Sequence, residues 1–133
     1  MLKAKEFDWT KNHEDDFNAI KEAIITETLY CYFDTTKPVE LYVDASPFGV
    51  GALLTQDNKV VNYASKALSD VEMRYSQIER EALAIVYGIE KFRLYLLGTD
   101  FLVYSDHQPL QKIFNKPRSN ATARIERWLL RLQ

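Results

Sequence analysis

Apolar positions along the chain switch between a period of two and a period near 3.6, and each switch marks the start of a new element. Val39, Leu41 and Val43 alternate with Glu40, Tyr42 and Asp44, which predicts a strand ending in Asp44, on the same face as Tyr42. Residues 49–55 and 60–64 read as two further strands, joined by a tight turn at Gln56-Asp57-Asn58, with Gly49 and Gly51 allowing close backbone approach. Ahead of them, residues 12–27 predict a helix: Asn12 can cap it, Glu14, Asp15 and Asp16 suit its first turn, and Phe17, Ile20 and Ile24 form a stripe. A polar loop over 65–75 leads to the clearest helix, opened by Ser76 and Glu79 in capping-box spacing and ended by Gly98. Residues 101–105 then form a strongly apolar fourth strand, with Asp106 at its end. His107-Gln108-Pro109 opens a short helix to about residue 114, and Asn120 caps a last one with a stripe of Ile125, Trp128, Leu129 and Leu132.

The order of these elements fixes their arrangement. Strands one to three make an antiparallel meander, whereas a strand reached through a crossover helix normally lies parallel to the one it joins. Strand four beside strand one would bring Asp44 and Asp106 together at the carboxyl ends of strands, where open α/β sheets place their ligands. With Ile85 as the centre of the long helix's apolar stripe, Glu81 falls about 40° off centre, and Ile78, Ala82, Ile89, Phe92 and Leu96 lie within about 60°. Glu81 therefore points inward, while Glu79, Arg80, Glu90 and Lys91 lie on the far side as surface residues.

Composition narrows the class. At 133 residues, 47% of them hydrophobic, the chain can bury one proper core. Its single cysteine, Cys31, excludes an internal disulfide and a Cys/His metal cluster and suits a reducing compartment. Neither a membrane span nor a signal-peptide core is present in the sequence, so a soluble chain is expected. The net charge of −2 is unevenly spread. From Lys112 onward, Lys112, Lys116, Arg118, Arg124, Arg127 and Arg131 face one acid, Glu126, so this tail is strongly basic within an acidic whole. Such a strip is either a solvated helix face or a surface turned toward phosphates.

An Asp at a strand end taken alone serves as a turn or cap residue. The combination with an inward Glu differs, because a carboxylate buried without compensation costs several kcal/mol. Three carboxylates about 5 Å apart also repel one another by ~3 kcal/mol per pair at an effective dielectric near 20. A divalent cation removes that repulsion, and oxygen-only donors select a hard ion such as Mg²⁺ or Mn²⁺ over zinc. The chemistry this implies is metal-assisted phosphodiester hydrolysis.

At these residues the chain resembles a known family. The blocks Val43-Asp44-Ala45-Ser46, Tyr63-Ala64-Ser65-Lys66-Ala67-Leu68, Tyr75-Ser76-Gln77-Ile78-Glu79-Arg80-Glu81-Ala82-Leu83-Ala84-Ile85-Val86, Phe92-Arg93-Leu94-Tyr95-Leu96-Leu97-Gly98 and Ser105-Asp106-His107-Gln108-Pro109-Leu110 look like the ribonuclease H domain of reverse transcriptases from gypsy-type LTR retrotransposons. The resemblance covers residues 38–133, and residues 1–37 are similar to the linker from the polymerase thumb.

The resemblance implies an α/β, RNase H-like mixed sheet with packed helices, acting in a reverse transcriptase polyprotein on the RNA strand of RNA–DNA hybrids with two Mg²⁺ (or Mn²⁺) ions. Carried over by motif, Asp44, Glu81 and Asp106 are the catalytic metal ligands, Ser46 and Gln108 are hybrid contacts, and His107 caps or supports a helix; Lys112, Lys116, Arg118 and Arg124, from the basic strip, are the further candidate nucleic-acid contacts. An intracellular location follows, in the cytoplasm, a virus-like particle or the nucleus. Family members continue into a fifth strand and a fourth catalytic aspartate, whereas this chain ends at Arg131-Leu132-Gln133. That departure predicts a C-terminally truncated domain whose fourth strand is an apolar edge open to self-association. A non-catalytic interaction module on the same fold is the competing expectation. The integrase branch is disfavoured by acid order, which is Asp, Glu, Asp here and Asp, Asp, Glu there.

Overall fold

The computed structural model describes residues 7–27, 31–106, 110, 113, 114 and 122–132. Strands β1 (Val39–Ala45), β2 (Gly49–Gln56), β3 (Lys59–Ala67) and β4 (Phe101–Tyr104) form one sheet in the order β3-β2-β1-β4. The meander is antiparallel, with Asp44 opposite Gly51, and β4 runs parallel to β1 from Val39 opposite Phe101 to Tyr42 opposite Tyr104. These are the sheet and topology the sequence predicts.

Along β1 the pattern is strict. Val39, Leu41, Val43 and Ala45 are buried, while Tyr42 and Asp44 are exposed on the opposite face. The buried row meets helix α2 (Gln77–Lys91) through Ala82, Ile85 and Gly88. Contact is close at Gly88, where an added Cβ would lie 3.1 Å from Val43 Cγ1, 3.2 Å from Ala52 Cβ and 3.3 Å from Leu41 Cδ1. This glycine is what lets the helix settle onto the sheet.

Several boundaries differ from expectation. Strand β3 runs on to Ala67, because Ser65, Lys66 and Ala67 pair with Gly51, Val50 and Gly49; all three are exposed and none is a large apolar residue, which masks the strand in the sequence. The rest of the expected loop holds a 3₁₀ turn at Glu72–Arg74. The long helix breaks at Phe92, whose backbone leaves helical geometry (φ −101°, ψ 18°), and a short helix α3 (Arg93–Leu96) follows; Phe92 and Leu96 are both buried. Gly98, with φ +76°, then ends it as expected. The last helix, α4 (Ala123–Arg131), is capped at Thr122, whose Oγ1 accepts from Ile125 N–H, and not at Asn120.

The hairpin turn falls at Asp57 and Asn58, both left-handed (φ 51° and 59°), which suits the right-handed twist of the flanking strands. Helix α1 (Lys11–Glu27) starts one residue before the expected cap, and its Phe17, Ile20 and Ile24 stripe is exposed. Cys31 is a free, half-buried thiol. The expected helix over 107–114 lies largely outside the described residues, although Leu110, Ile113 and Phe114 have helical backbone, and Leu110 and Ile113 reach the core. No described helix is long and apolar enough to cross a membrane.

Replacing Gly88 by Ala tests the packing directly. Helix propensity favours Ala by about 1 kcal/mol. Overpacking against three core side chains costs about 1–3 kcal/mol. Gly88→Ala is expected to lower the denaturant midpoint; a raised midpoint would show that the helix has room to move away from β1.

Candidate metal centre

Ladder pairing between β1 and β4 ends at Tyr42 and Tyr104, but β1 continues to Ala45. Asp44 and Asp106, each two residues past that last rung, stand where the strands stop being held together. The rung itself is clasped by stacked rings: Tyr42 and Tyr104 lie 4.6 Å apart at 10°, and their hydroxyls donate to the two carboxylate oxygens of Glu40 at 3.2 and 3.3 Å. Burial foremost, then the Glu40 charge, raises the Tyr42 hydroxyl's pKa; for Tyr104 the Glu40 charge comes first. Both therefore stay protonated donors. On the other flank, Asp44 faces Gly51, where an added Cβ would meet nothing within 4 Å. Gly51 thus opens space rather than permitting close approach, whereas Gly49 does sit tightly: a Cβ added there would lie 3.1 Å from Lys66 O. The result is an open groove lined by Tyr42, Asp44, Gly51, Leu53, Ala64 and Asp106.

Into this gap α2 delivers Glu81, 1% exposed and one turn into the helix. Asp44, Glu81 and Asp106 each offer a carboxylate oxygen, all within 4.8 Å of one another. Gln77 Nε2 donates to Glu81 Oε1 at 2.6 Å. Arg80 is not a free surface residue as the helical wheel suggests. It folds back half-buried, donating through Nη1 to Met73 O and Tyr75 O and through Nη2 to Gln77 Oε1. The signal for Gln77 was in the sequence, since residues four apart on a helix are neighbours. Arg80 was concealed by its long side chain, which reaches round the helix start.

Glu79 serves the fold instead. Its Oε2 accepts from Ser76 N–H and O–H, and its Oε1 takes Thr122 Oγ1 and the Arg124 guanidinium, which also covers the Tyr75 ring at 4.0 Å. Burial raises its pKa, but the Ser76 donors and Arg124 outweigh this and hold it below the usual carboxylate range. Arg124 thereby ties α4 to α2, and Arg131 pairs with Glu90 alongside. Ser46 shapes the β1–β2 turn, its Oγ accepting from Phe48 and Gly49 N–H. His107, Gln108, Lys112, Lys116 and Arg118 lie outside the described residues.

The donor set fits a divalent cation: three hard oxygen ligands converge, one on a rigid helix and two at solvent-facing strand ends. A family profile described as the RNase H-like domain found in reverse transcriptase matches residues 34–133. The chain belongs to this family. The Pol polyprotein of transposon 297 from Drosophila melanogaster is 41% identical over 116 residues, covering 87% of the chain and 11% of that protein. The Pol polyprotein of transposon gypsy, also from Drosophila melanogaster, is 32% identical over 130 residues, covering 96% and 12%. The RNase H-like chain thus spans about a tenth of the length of these curated relatives. Among solved structures, prototype foamy virus protease–reverse transcriptase superposes with a TM-score of 0.75 at 21% identity, over 95% of this chain and 18% of that one. RNase H1 from Halobacterium salinarum gives 0.58 at 17%, over 71% and 74%. These likenesses establish the fold.

Like charge in the triad leaves a stability signature. In EDTA, Asp44→Asn is expected to be more stable than wild type by ~1 kcal/mol or less, because two of the three acids are exposed and screened. Mg²⁺ should raise the melting temperature of wild type more than that of the variant. Equal responses to Mg²⁺ would contradict the cation assignment.

Proposed function

We propose that this domain hydrolyses the RNA strand of RNA–DNA hybrids as part of a retrotransposon Pol polyprotein, with Asp44, Glu81 and Asp106 holding Mg²⁺ or Mn²⁺. The observation carrying this reading is the convergence of three carboxylate oxygens within 4.8 Å in a chain of the reverse-transcriptase RNase H-like family. Bound there, one or two such ions would supply water activation and charge neutralisation at a phosphodiester. The protein's part is positional. Glu81 is fixed by burial on α2 and by Gln77, Asp44 by the β1–β2 ladder, and Asp106 by the β1–β4 rung that the tyrosine pair clasps. The groove beside them is open enough to take a backbone phosphate. The basic residues from Lys112 to Arg118 are proposed to follow the hybrid backbone, and residues 1–37 to join the domain to a polymerase portion.

Self-association along β4 is a second proposal, supported by that strand's place at the sheet edge and by the exposure of Leu102 and Tyr104. Sedimentation at rising concentration tests it; a strictly monomeric profile removes it.

For the catalytic reading, the test is cutting of an end-labelled RNA–DNA hybrid. Wild type is expected to cleave the RNA strand with Mg²⁺ or Mn²⁺, and Asp44→Asn to lose at least about a hundredfold, more than a residue outside the ligand set would cost. If wild type and Asp44→Asn are equally inert with both ions, this chain does not catalyse the reaction, and the interaction-module reading takes its place.

A further inference from the structure

Three side chains in the first turns of α2 form a directed string. Arg80 Nη1 donates to Tyr75 O at 2.9 Å and Met73 O at 3.3 Å, Arg80 Nη2 donates to Gln77 Oε1 at 2.6 Å, and Gln77 Nε2 donates to Glu81 Oε1 at 2.6 Å. The chemistry of the ends dictates the middle. Arg has no acceptor and a carboxylate no donor, so Gln77 must turn its oxygen to Arg80 and its NH₂ to Glu81. A flipped amide would face donor against donor and acceptor against acceptor at both contacts. Two backbone carbonyls of the preceding turn lock the guanidinium, which locks the amide, which locks the carboxylate.

From this we infer that Gln77 is a positioning residue for Glu81, and that Arg80 acts through Gln77. The inference rests on the proposed reading of the acid triad as a divalent-cation site. Its physical content is twofold. Gln77 removes rotational freedom at the only buried acid of the three, so that one carboxylate oxygen is committed to the amide and the group meets the cation in one orientation. Arg80 also anchors the Gln77 amide to the backbone of the preceding turn, through Met73 O and Tyr75 O, without occupying the groove side. Neither residue lines that groove. Gln77 is exposed, so its replacement leaves the core intact.

The experiment is a calorimetric Mn²⁺ titration of wild type, Gln77→Met, Arg80→Met, the double variant and Glu81→Gln, with melting temperatures as a fold check. Gln77→Met is expected to weaken Mn²⁺ binding about tenfold, at the lower end for a partner of a metal ligand. Arg80→Met should weaken it too, yet add little in the Gln77→Met background, since both act along one string. In hybrid cleavage at subsaturating Mn²⁺ the loss should appear in kcat, recovered by excess metal, with KM for the hybrid unchanged. A metal-independent readout accompanies these: in the metal-free protein one Gln77 side-chain amide proton should resonate downfield, and shift back in Glu81→Gln. Unchanged Mn²⁺ affinity in Gln77→Met, a raised hybrid KM in its place, additive losses in the double variant, or a Gln77 amide indifferent to Glu81→Gln would each overturn the inference. Should wild type and Glu81→Gln titrate alike, the cation reading itself falls and the positioning role with it. The amide signal would then still report whether the hydrogen bond exists.

Discussion

A carboxylate that is 1% exposed and within 4.8 Å of two others is the constraint on which the rest of this molecule turns. Three carboxylates so placed repel one another when ionised. Folding nevertheless builds the cluster from three separate elements. Asp44 comes from the second residue past the last β1–β4 rung, Asp106 from the matching place after β4, and Glu81 from a helix pressed onto the opposite face of the sheet.

That convergence is possible because the two strands part company. As long as β1 and β4 are paired, their side chains alternate above and below a closed surface, and nothing from α2 can pass between them. Pairing stops at Tyr42 and Tyr104, with the stacked rings and Glu40 pinning the final rung, and beyond it the strand ends are free to flank Glu81. Gly88 sets how close α2 comes, and Gly51 leaves the groove floor bare. The outward pull of like charge is thus resisted by backbone ladders on one side and helix packing on the other.

Much of this was legible in the sequence because its signals are periodic. The alternation in β1 placed Asp44 on the outer face, helical phase placed Glu81 inward, and the crossover rule set β4 beside β1. What escaped notice lacks a period. Residues Ser65 to Ala67 are exposed and carry no apolar alternation, so a true strand looked like a loop, and only pairing with β2 reveals it. The break at Phe92 also has no period: Phe92 and Leu96 sit on the same face of an unbroken helical wheel and are both buried, so the stripe runs across the break without marking it. Arg80 looked like surface because a helical wheel shows where Cα sits and not where a long side chain ends. Arg124 stood out as part of a basic strip; the structure ties it to Glu79 and Tyr75.

The central claim is that the three acids form a divalent-cation site, and anomalous diffraction from crystals soaked in Mn²⁺ tests it most directly. The account predicts a strong anomalous peak within coordination distance, ~2.0–2.4 Å, of carboxylate oxygens from Asp44, Glu81 and Asp106. A well-ordered triad with no peak there, at Mn²⁺ concentrations that label other surface carboxylates, would contradict it.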